Sequence, residues 1–367
     1  MSISLFIFWR KKFPVIRLAI KRCLLLFGKV ATFLLSKRSE AKISGLDIFF
    51  VLERPLGLGD IVMLYPKINA LAGNNPKRRV SIVSDYQCFI KNKNIKWFSP
   101  DQITKECFDQ SLFIFPDFNF RSIRFFGKAK HSVGYMFSNK IYSSIRGSGS
   151  EYDLTAGHYV DRLDNIFDFL GWDNLGLEYC DIQTPKNLDV LRGLPQSFFC
   201  IAPFSLWETR QYNLNYFREI IAALTEYLPV VLLGGPSDRE RIADLNIDLE
   251  DENIFDLIGR LSLFDLEAVL ARCEAYIGND SGPTHLANLF AQRSVSIFGC
   301  CDPETRMPKE IKPGVELSVF SRGRECRHFP CFNGLSEPRC KHSHKYLCMD
   351  VDPQAVVREL VGKKGAN

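Results

Sequence analysis

The feature that most constrains the fold is a repeated order of apolar run, turn and helical pattern. The run LDIFFVLE at 46–53 is followed by the Gly-rich stretch PLGLGD and then by a helical pattern. Further runs at 79–85 and 111–116 come at helix-length intervals. Continuous apolar runs of this length are typical of strands buried on both faces, and their alternation with helices indicates parallel sheets covered by helices. The chain is therefore predicted to be an α/β protein.

The same order starts again after a polar, Pro-containing stretch at 183–196. A chain of 367 residues is too long for one ordinary core. We therefore predict two α/β halves of similar size with a cleft between them, preceded by a leader. The predicted boundaries are 1–44 for the leader, 45–190 for the N-terminal domain and 191–367 for the C-terminal domain.

The leader carries an uneven share of the charge. Its first 39 residues hold nine Lys or Arg and no acid, so 38 bases face 42 acids in the rest of the chain, which argues against nucleic-acid binding. The longest apolar stretch, 23–35, is interrupted by Lys29 and is shorter than the roughly 20 residues that span a bilayer. Residues 1–39 are predicted to lie on an anionic membrane surface. Packing on the protein body and a retained anchor are the alternatives.

An Asp, a Ser and a His lie within six residues in the stretch NDSGPTHL. A serine nucleophile elbow needs Gly two positions before and after the Ser, whereas Asn279 and Pro283 flank Ser281. An Asp directly before the Ser is also wrongly placed for a triad. A metal site needs three or four ligands, and Asp280 with His285 supplies two. Neither a serine hydrolase nor a metal site fits this stretch.

An anion-binding helix start fits better. A strand ending at Asp280 would pass through Ser281 and Gly282 into a helix with Pro in its first turn. The free N–H groups of that turn attract an anion, and Ser281, Thr284 and His285 add donors. An ordinary capped helix with a satisfied His is the alternative.

Three other positions carry candidate chemistry. Gly57 and Gly59 allow the backbone to approach a ligand, and Asp60 at the following helix start is either a general base or a cap. Arg210 follows a predicted strand, where it can bind phosphate or remain a solvated loop residue. Asp238 follows the Gly-Gly end of another strand and is either an acceptor for ribose or base donors or a helix cap.

Together these stretches resemble glycosyltransferase family 9, whose best-known members are the lipopolysaccharide heptosyltransferases. DSGPTHL matches the family signature Asp-Ser/Thr-Gly-x-x-His-Leu at every defined position. LGLGD resembles the family's Gly-Asp after the first strand, GGPSD its Gly-Gly-x-x-acid turn, and FGCCDP its Phe-Gly followed by Asp-Pro. The resemblance covers 49–357.

This resemblance implies a GT-B fold of two Rossmann-like domains, with the acceptor on the N-terminal one and the donor on the other. It implies inverting sugar transfer without a metal or cofactor. Asp60 would be the base, and Arg210 stands where the family usually has Lys. Asp238 would contact the nucleoside, Asp280 would hold sugar hydroxyls, and the diphosphate would be held by Ser281, Gly282, Thr284 and His285.

The function expected from the sequence is transfer of a sugar, plausibly heptose, from a nucleotide-diphosphate donor such as ADP-heptose to a lipid-linked or polysaccharide acceptor. The basic leader predicts a cytoplasmic enzyme peripheral to the inner face of the cell membrane. A non-catalytic nucleotide-sugar binding protein and a transferase that uses a UDP or GDP sugar are the alternatives.

Four cysteines cluster near the C-terminus: Cys326, Cys331, Cys340 and Cys348. Three His residues lie among them, which suggests zinc, but no Cys-x-x-Cys pair is present. Because similar Cys-containing tails occur in family 9, a structural feature of the family is favoured over a metal or disulfide cluster.

Overall fold

A computed structural model of the chain describes most of the sequence after the leader. The predicted leader lies outside the described residues. Those described are 46–52, 57–74, 79–86, 94–104, 108–118, 122, 125, 128–136, 140–143, 147–151, 157–172, 175–178, 189–311, 314–332 and 337–362.

The N-terminal half contains a sheet whose described strands are ordered β3-β2-β1-β4-β5-β6-β7. Strands β1 to β5 are parallel, as predicted, but the sheet continues into an antiparallel edge of β6 and β7 that the sequence analysis missed. The elements are β1 (Asp47–Leu52), α1 (Leu58–Asn74), β2 (Val80–Ser84), β3 (Ile95–Phe98), α2 (Pro100–Thr104), β4 (Phe108–Phe118), β5 (Ala129–Met136), β6 (Lys140–Ser143), β7 (Gly147–Glu151) and α3 (Asp161–Leu170).

The C-terminal half contains a second sheet, whose described strands are all parallel and ordered β10-β9-β8-β11-β12-β13. Short 3₁₀ turns connect several of these elements. The elements are α4 (Asp189–Arg192), β8 (Phe199–Ala202), α5 (Leu214–Thr225), β9 (Val230–Leu232), β10 (Ile254–Asp256), α6 (Leu263–Arg272), β11 (Ala275–Asn279), α7 (Gly282–Phe290), β12 (Arg293–Ile297), β13 (Glu316–Phe320) and α8 (Pro353–Val361).

Local sequence explains several helix starts. Ser262 and Asp265 form a reciprocal capping box at the start of α6, in which each side chain accepts from the backbone N–H of the other. Asn213 caps α5 by accepting from the N–H of Asn215 at 2.9 Å. Gly171 ends α3 in the left-handed conformation, with φ of 70°.

The two halves meet where the N-termini of α1 and α7 pack together. A Cβ at Gly59 would lie 2.4 Å from Cδ2 of His285, and one at Gly282 would lie 3.0 Å from Cβ of Leu58. Only residues without a side chain allow this approach. The contact brings the carboxyl-terminal edges of both sheets to one cleft.

The predicted domain boundary at 190/191 lies between the last strand of the first sheet, β7, and the first strand of the second, β8. It stays a prediction, because residues 179–188 lie outside the described part. None of the described helices combines the length and apolarity required to cross a membrane.

Candidate active site

The start of α7 forms the centre of the site. Ser281 occupies the N-cap position in extended backbone, and Pro283 stands in the first turn. The Ser281 side chain makes no capping hydrogen bond. The first backbone bond inside the helix runs from the N–H of His285 to the carbonyl of Ser281, so the N–H groups of Gly282 and Thr284 are left for a ligand. This is the geometry of an anion site at a helix N-terminus.

The Thr284 side chain is turned away from the cleft. It is fully buried, donates its hydroxyl proton to the carbonyl of Asn279 and lies 2.9 Å from the hydroxyl oxygen of Tyr276. In this arrangement the hydroxyl joins the end of β11 to the start of α7. The half-buried Ser281 lies beside it, with the two hydroxyl oxygens 3.5 Å apart.

Asp280 is a buried anion held by two basic side chains. Its Oδ2 lies 3.2 Å from Nε of Arg210 and its Oδ1 lies 3.5 Å from Nε2 of His285. Burial raises the pKa of Asp280, but Arg210 and His285 outweigh burial and hold it far below its usual range. Asp280 is therefore ionised, and it holds the side chains of Arg210 and His285 beside the start of α7.

Arg210 is held between aromatic rings. Its guanidinium carbon lies 4.5 Å from the centre of the Trp207 ring and 4.9 Å from that of Phe332. Burial lowers its pKa, but Asp280 more than compensates and raises it above the ordinary value. The ion pair with Asp280 runs through Nε, and a guanidinium group carries further N–H donors on its two Nη atoms.

Arg306 lies at the same junction and is not among the residues predicted from the sequence. It is 7% exposed, and its guanidinium carbon lies 4.7 Å from the ring centre of Tyr159 and 5.2 Å from that of Phe332. Its Nη1 lies 3.6 Å from Oδ1 of Asp60. Among the described residues its buried Nε has no hydrogen-bond partner, as expected for a group that awaits a ligand. The stretch DPETR, which ends at Arg306, could have drawn attention to this residue, but its pattern does not distinguish a buried Arg from a solvated one.

Asp60 lies in the first turn of α1, as predicted. Its Oδ2 accepts from the N–H of Gly57 at 2.8 Å, which is the helix cap given above as the alternative to the general base. Its Oδ1 faces Arg306. Among the described residues, a Cβ at Gly57 would meet Oδ2 of Asp60 at 3.6 Å, an ordinary contact distance. Gly59 instead serves the contact with His285 described above.

Asp238 makes the contacts of a helix cap. Its Oδ2 accepts from the N–H of Gly235 at 2.8 Å, and its Oδ1 lies 3.8 Å from Nη1 of Arg241. The structure thus shows the cap that was the alternative for this residue, and the nucleoside contact stays a prediction. The other predicted residues are brought together: Asp60, Arg210, Asp280, Ser281, Gly282 and His285 line the junction of the two halves.

Comparison with known proteins agrees with this geometry. Residues 164–333 match the model of glycosyltransferase family 9 (heptosyltransferase). Lipooligosaccharide heptosyltransferase 2 from Campylobacter jejuni subsp. jejuni is 21% identical in serotype O:6 over 42% of this chain and 48% of the relative. The enzyme of serotype O:2 is 26% identical over 61% of this chain and 70% of the relative. The match with the first of these relatives thus spans about half of its length.

Two solved structures share the fold. The structure of Escherichia coli ADP-heptose lipopolysaccharide heptosyltransferase II gives a TM-score of 0.61 at 16% identity, covering 88% of this chain and 100% of that one. The iron-containing dodecameric glycosyltransferase TibC from enterotoxigenic E. coli gives a TM-score of 0.57 at 14% identity, covering 88% of this chain and 77% of that one. The predicted GT-B fold class is confirmed. Residues 164–333, which include the signature at the start of α7, match glycosyltransferase family 9 (heptosyltransferase), and the chain is similar to the heptosyltransferases of that family.

Proposed function

We propose that the chain is an inverting glycosyltransferase that transfers a sugar, with heptose as the first candidate, from a nucleotide diphosphate to an acceptor hydroxyl. The observation that carries the proposal is the position of Asp60. This carboxylate of the N-terminal half faces the buried Arg306 of the C-terminal half, next to the open helix start of α7. A base and a diphosphate site are thus joined across one cleft.

The donor diphosphate is assigned to the start of α7. Backbone N–H groups of Gly282 and Thr284 and the hydroxyl of Ser281 would bind its oxygens, together with Arg210 and Arg306. These groups provide fixed positive charge where the leaving diphosphate develops negative charge. The relative TibC is described as containing iron. In this chain two guanidinium groups supply the charge, and we propose that no metal ion acts at the diphosphate.

The acceptor side is assigned to Asp60. As a general base it would remove the proton of the acceptor hydroxyl while that oxygen attacks the anomeric carbon. Attack from the side opposite the leaving diphosphate inverts the configuration at that carbon. The ion pair with Arg306 holds the Asp60 side chain at the junction, and a bound diphosphate would compete with Asp60 for the same guanidinium.

The identity of donor and acceptor rests on the relatives. The E. coli structure is described as an ADP-heptose lipopolysaccharide heptosyltransferase, and the C. jejuni relatives as lipooligosaccharide enzymes. We therefore propose ADP-heptose and a lipopolysaccharide-type acceptor. Residues 1–39 would keep the enzyme on the inner face of the membrane, near a lipid-linked acceptor.

A panel of nucleotide sugars tests the proposal. Purified full-length chain is mixed with ADP-heptose and with UDP, GDP and ADP hexoses, and binding is measured by calorimetry. Transfer to truncated lipopolysaccharide cores is followed by mass spectrometry. We expect tightest binding of an ADP sugar and a heptose mass added to the acceptor. A UDP or GDP preference would reassign the donor, and binding without transfer or donor hydrolysis would favour a non-catalytic binding protein.

A further inference from the structure

A segment of the N-terminal half contacts the backbone on both sides of Arg306. The N–H of Tyr159 donates to the carbonyl of Thr305 at 3.0 Å, and Nε2 of His158 lies 2.6 Å from the carbonyl of Met307. These two carbonyls belong to the residues directly before and after Arg306. The backbone of this arginine of the C-terminal half is therefore held by the N-terminal half.

The same segment supplies a ring beside the Arg306 guanidinium. Tyr159 is 6% exposed, and the centre of its ring lies 4.7 Å from the guanidinium carbon of Arg306. The guanidinium carbon of Arg162 lies 4.5 Å from the centre of the same ring. Nη1 of Arg162 donates to the carbonyl of Pro116, near the end of β4, at 3.5 Å. The Tyr159 ring is thus anchored to the carboxyl-terminal edge of the first sheet.

The two arginines assigned to the diphosphate belong to one series of alternating guanidinium groups and aromatic rings. The Phe332 ring lies within cation–π distance of both Arg306 and Arg210. A guanidinium group is attracted by the negative face of a ring, and exclusion of water strengthens this attraction. In order, the members of the series are Arg162, Tyr159, Arg306, Phe332, Arg210 and Trp207. Tyr159 is the member that brings the N-terminal half into contact with these arginines.

The Arg306 side chain is buried and has a donor left over. Its Nη1 lies 3.6 Å from Oδ1 of Asp60, and its buried Nε has no hydrogen-bond partner among the described residues. A buried N–H without a partner is costly unless a ligand completes it. Besides the ion pair with Asp60, the rings of Tyr159 and Phe332 hold the direction of this side chain.

We propose that Tyr159 is a positioning residue for sugar transfer, whose ring holds the Arg306 guanidinium in the direction that binds the donor diphosphate. This inference rests on the diphosphate site proposed above and extends it. The groups assigned there to the diphosphate, the start of α7 with Arg210 and Arg306, all belong to the C-terminal half. Through Tyr159 the N-terminal half contributes to donor binding as well, and Arg306 is fully oriented only while the two halves are packed together.

Calorimetric titration with a nucleoside diphosphate tests this role without sugar transfer. Full-length chain is titrated with ADP, UDP and GDP, and the tightest of the three becomes the probe. It is then titrated into Tyr159→Met, Arg306→Gln and the double variant. Met fills the space of the ring but offers no π face. We expect Tyr159→Met to lower affinity about 10-fold, and the double variant to bind within about twofold of Arg306→Gln, because the ring acts through the guanidinium.

Two further variants separate the ring from general packing. Tyr159→Phe keeps the ring and should bind the probe within about threefold of wild type. Tyr135→Met removes another buried ring from the same hydrophobic core. This control should lower the unfolding temperature and leave affinity for the probe unchanged.

A variant of the ring itself covers the case in which Tyr159→Met does not fold. A trifluorinated phenylalanine is incorporated at position 159 and compared with Tyr159→Phe. Fluorine largely keeps the shape of the ring and weakens its negative face, so affinity should fall severalfold. Equal affinity of the two proteins would mean that the ring only fills space, and the inference would be wrong.

Other results would also overturn the inference. They are wild-type affinity in Tyr159→Met, an equal loss from this substitution with and without Arg306, and a loss in Tyr135→Met as large as that in Tyr159→Met. A wild-type chain that binds none of the three nucleotides overturns it together with the diphosphate site.

Failure of this inference is distinguishable from failure of the proposed function. A chain that transfers sugar while Tyr159→Met binds the probe as wild type does would keep the function and remove only the positioning role. A chain in which Tyr159 and Arg306 are coupled in binding, but which transfers no sugar, would keep the positioning of Arg306 at a nucleotide site and remove the transferase.

Discussion

Nη1 of Arg306 lies 3.6 Å from Oδ1 of Asp60, and this pair joins the two halves of the molecule. Asp60 comes from the first turn of α1 in the N-terminal half. Arg306 follows a short 3₁₀ turn, Pro303–Thr305, after β12 of the C-terminal half. The candidate base is therefore held by a candidate phosphate ligand, and both can be tested separately.

Replacing Asp60 by Asn should abolish transfer and keep donor binding. Asn retains an oxygen that can accept from Gly57 but cannot take up a proton, so kcat should fall about 100- to 10,000-fold. Transfer is measured by mass spectrometry and donor affinity by calorimetry. Asp101→Asn, an exposed acid in the first turn of α2, is the control. A D60N enzyme within a few-fold of wild type would remove Asp60 from the base role.

Replacing Arg306 by Gln should weaken donor binding. A charge-assisted contact to the diphosphate would be lost, and we expect affinity to fall about 10- to 100-fold. Calorimetric titration with the donor and with its nucleoside diphosphate measures this effect. Arg324→Gln, on a side chain 77% exposed, should bind donor as wild type does. Equal donor affinity in R306Q and wild type would contradict the assignment.

Replacing Arg210 by Ala should destabilise the fold as well as donor binding. Asp280 would remain buried without its main partner. Such a loss costs about 3–5 kcal/mol of unfolding free energy in a fully buried pair, and we expect a smaller cost here because the Arg210 side chain is 20% exposed. Arg210→Lys keeps the charge and should retain the fold while donor affinity falls. Thermal unfolding and calorimetry separate the two effects. An R210A protein as stable as its control, Arg239→Ala, would show that the ion pair has little structural role.

The two glycines before Asp60 should differ sharply. Gly59→Ala places a Cβ 2.4 Å from the His285 ring, so the packing of α1 on α7 must shift, at a cost of about 1–3 kcal/mol. Gly57→Ala makes an ordinary contact with Asp60 within the described part of the chain and should unfold at the wild-type temperature. Scanning calorimetry of both proteins provides the measurement. Equal melting temperatures would mean that the halves do not pack as described.

Stability should decrease on mild acidification through His158. Val160 donates its N–H to Nδ1 of this His, and Nε2 lies 2.6 Å from the carbonyl of Met307 in the other half. Burial lowers the pKa of His158 below its ordinary value of 6.5. The unfolded chain therefore binds the proton more readily, so this contribution is present above about pH 6.5 and is lost as pH falls toward the lowered folded pKa.

Chemical unfolding between pH 5 and 8 measures this effect. His158→Gln should flatten the dependence of unfolding free energy on pH relative to the wild-type chain. An unaltered pH dependence in H158Q would exclude His158 as its source.

Much of this molecule follows from local pattern. The apolar runs of β1, β2 and β4 were readable because burial on both faces is a property of short segments. The antiparallel edge of β6 and β7 was not, since its segments lack a continuous apolar run. Thr284 was expected in the cleft, but its hydroxyl faces the interior, because side-chain direction depends on the neighbouring strand.

The sequence by itself determined two α/β halves and the helix start at Ser281, and it supplied the hypotheses that this helix start binds an anion and that Asp60 is a base, because spacing and residue type encode them. Only the tertiary structure decided which charges meet. Arg306 and Asp60 are 246 positions apart in the chain, Phe332 covers both arginines, and five cysteines converge on one cavity. These relationships arise from packing between distant segments, for which a single sequence carries no local signal.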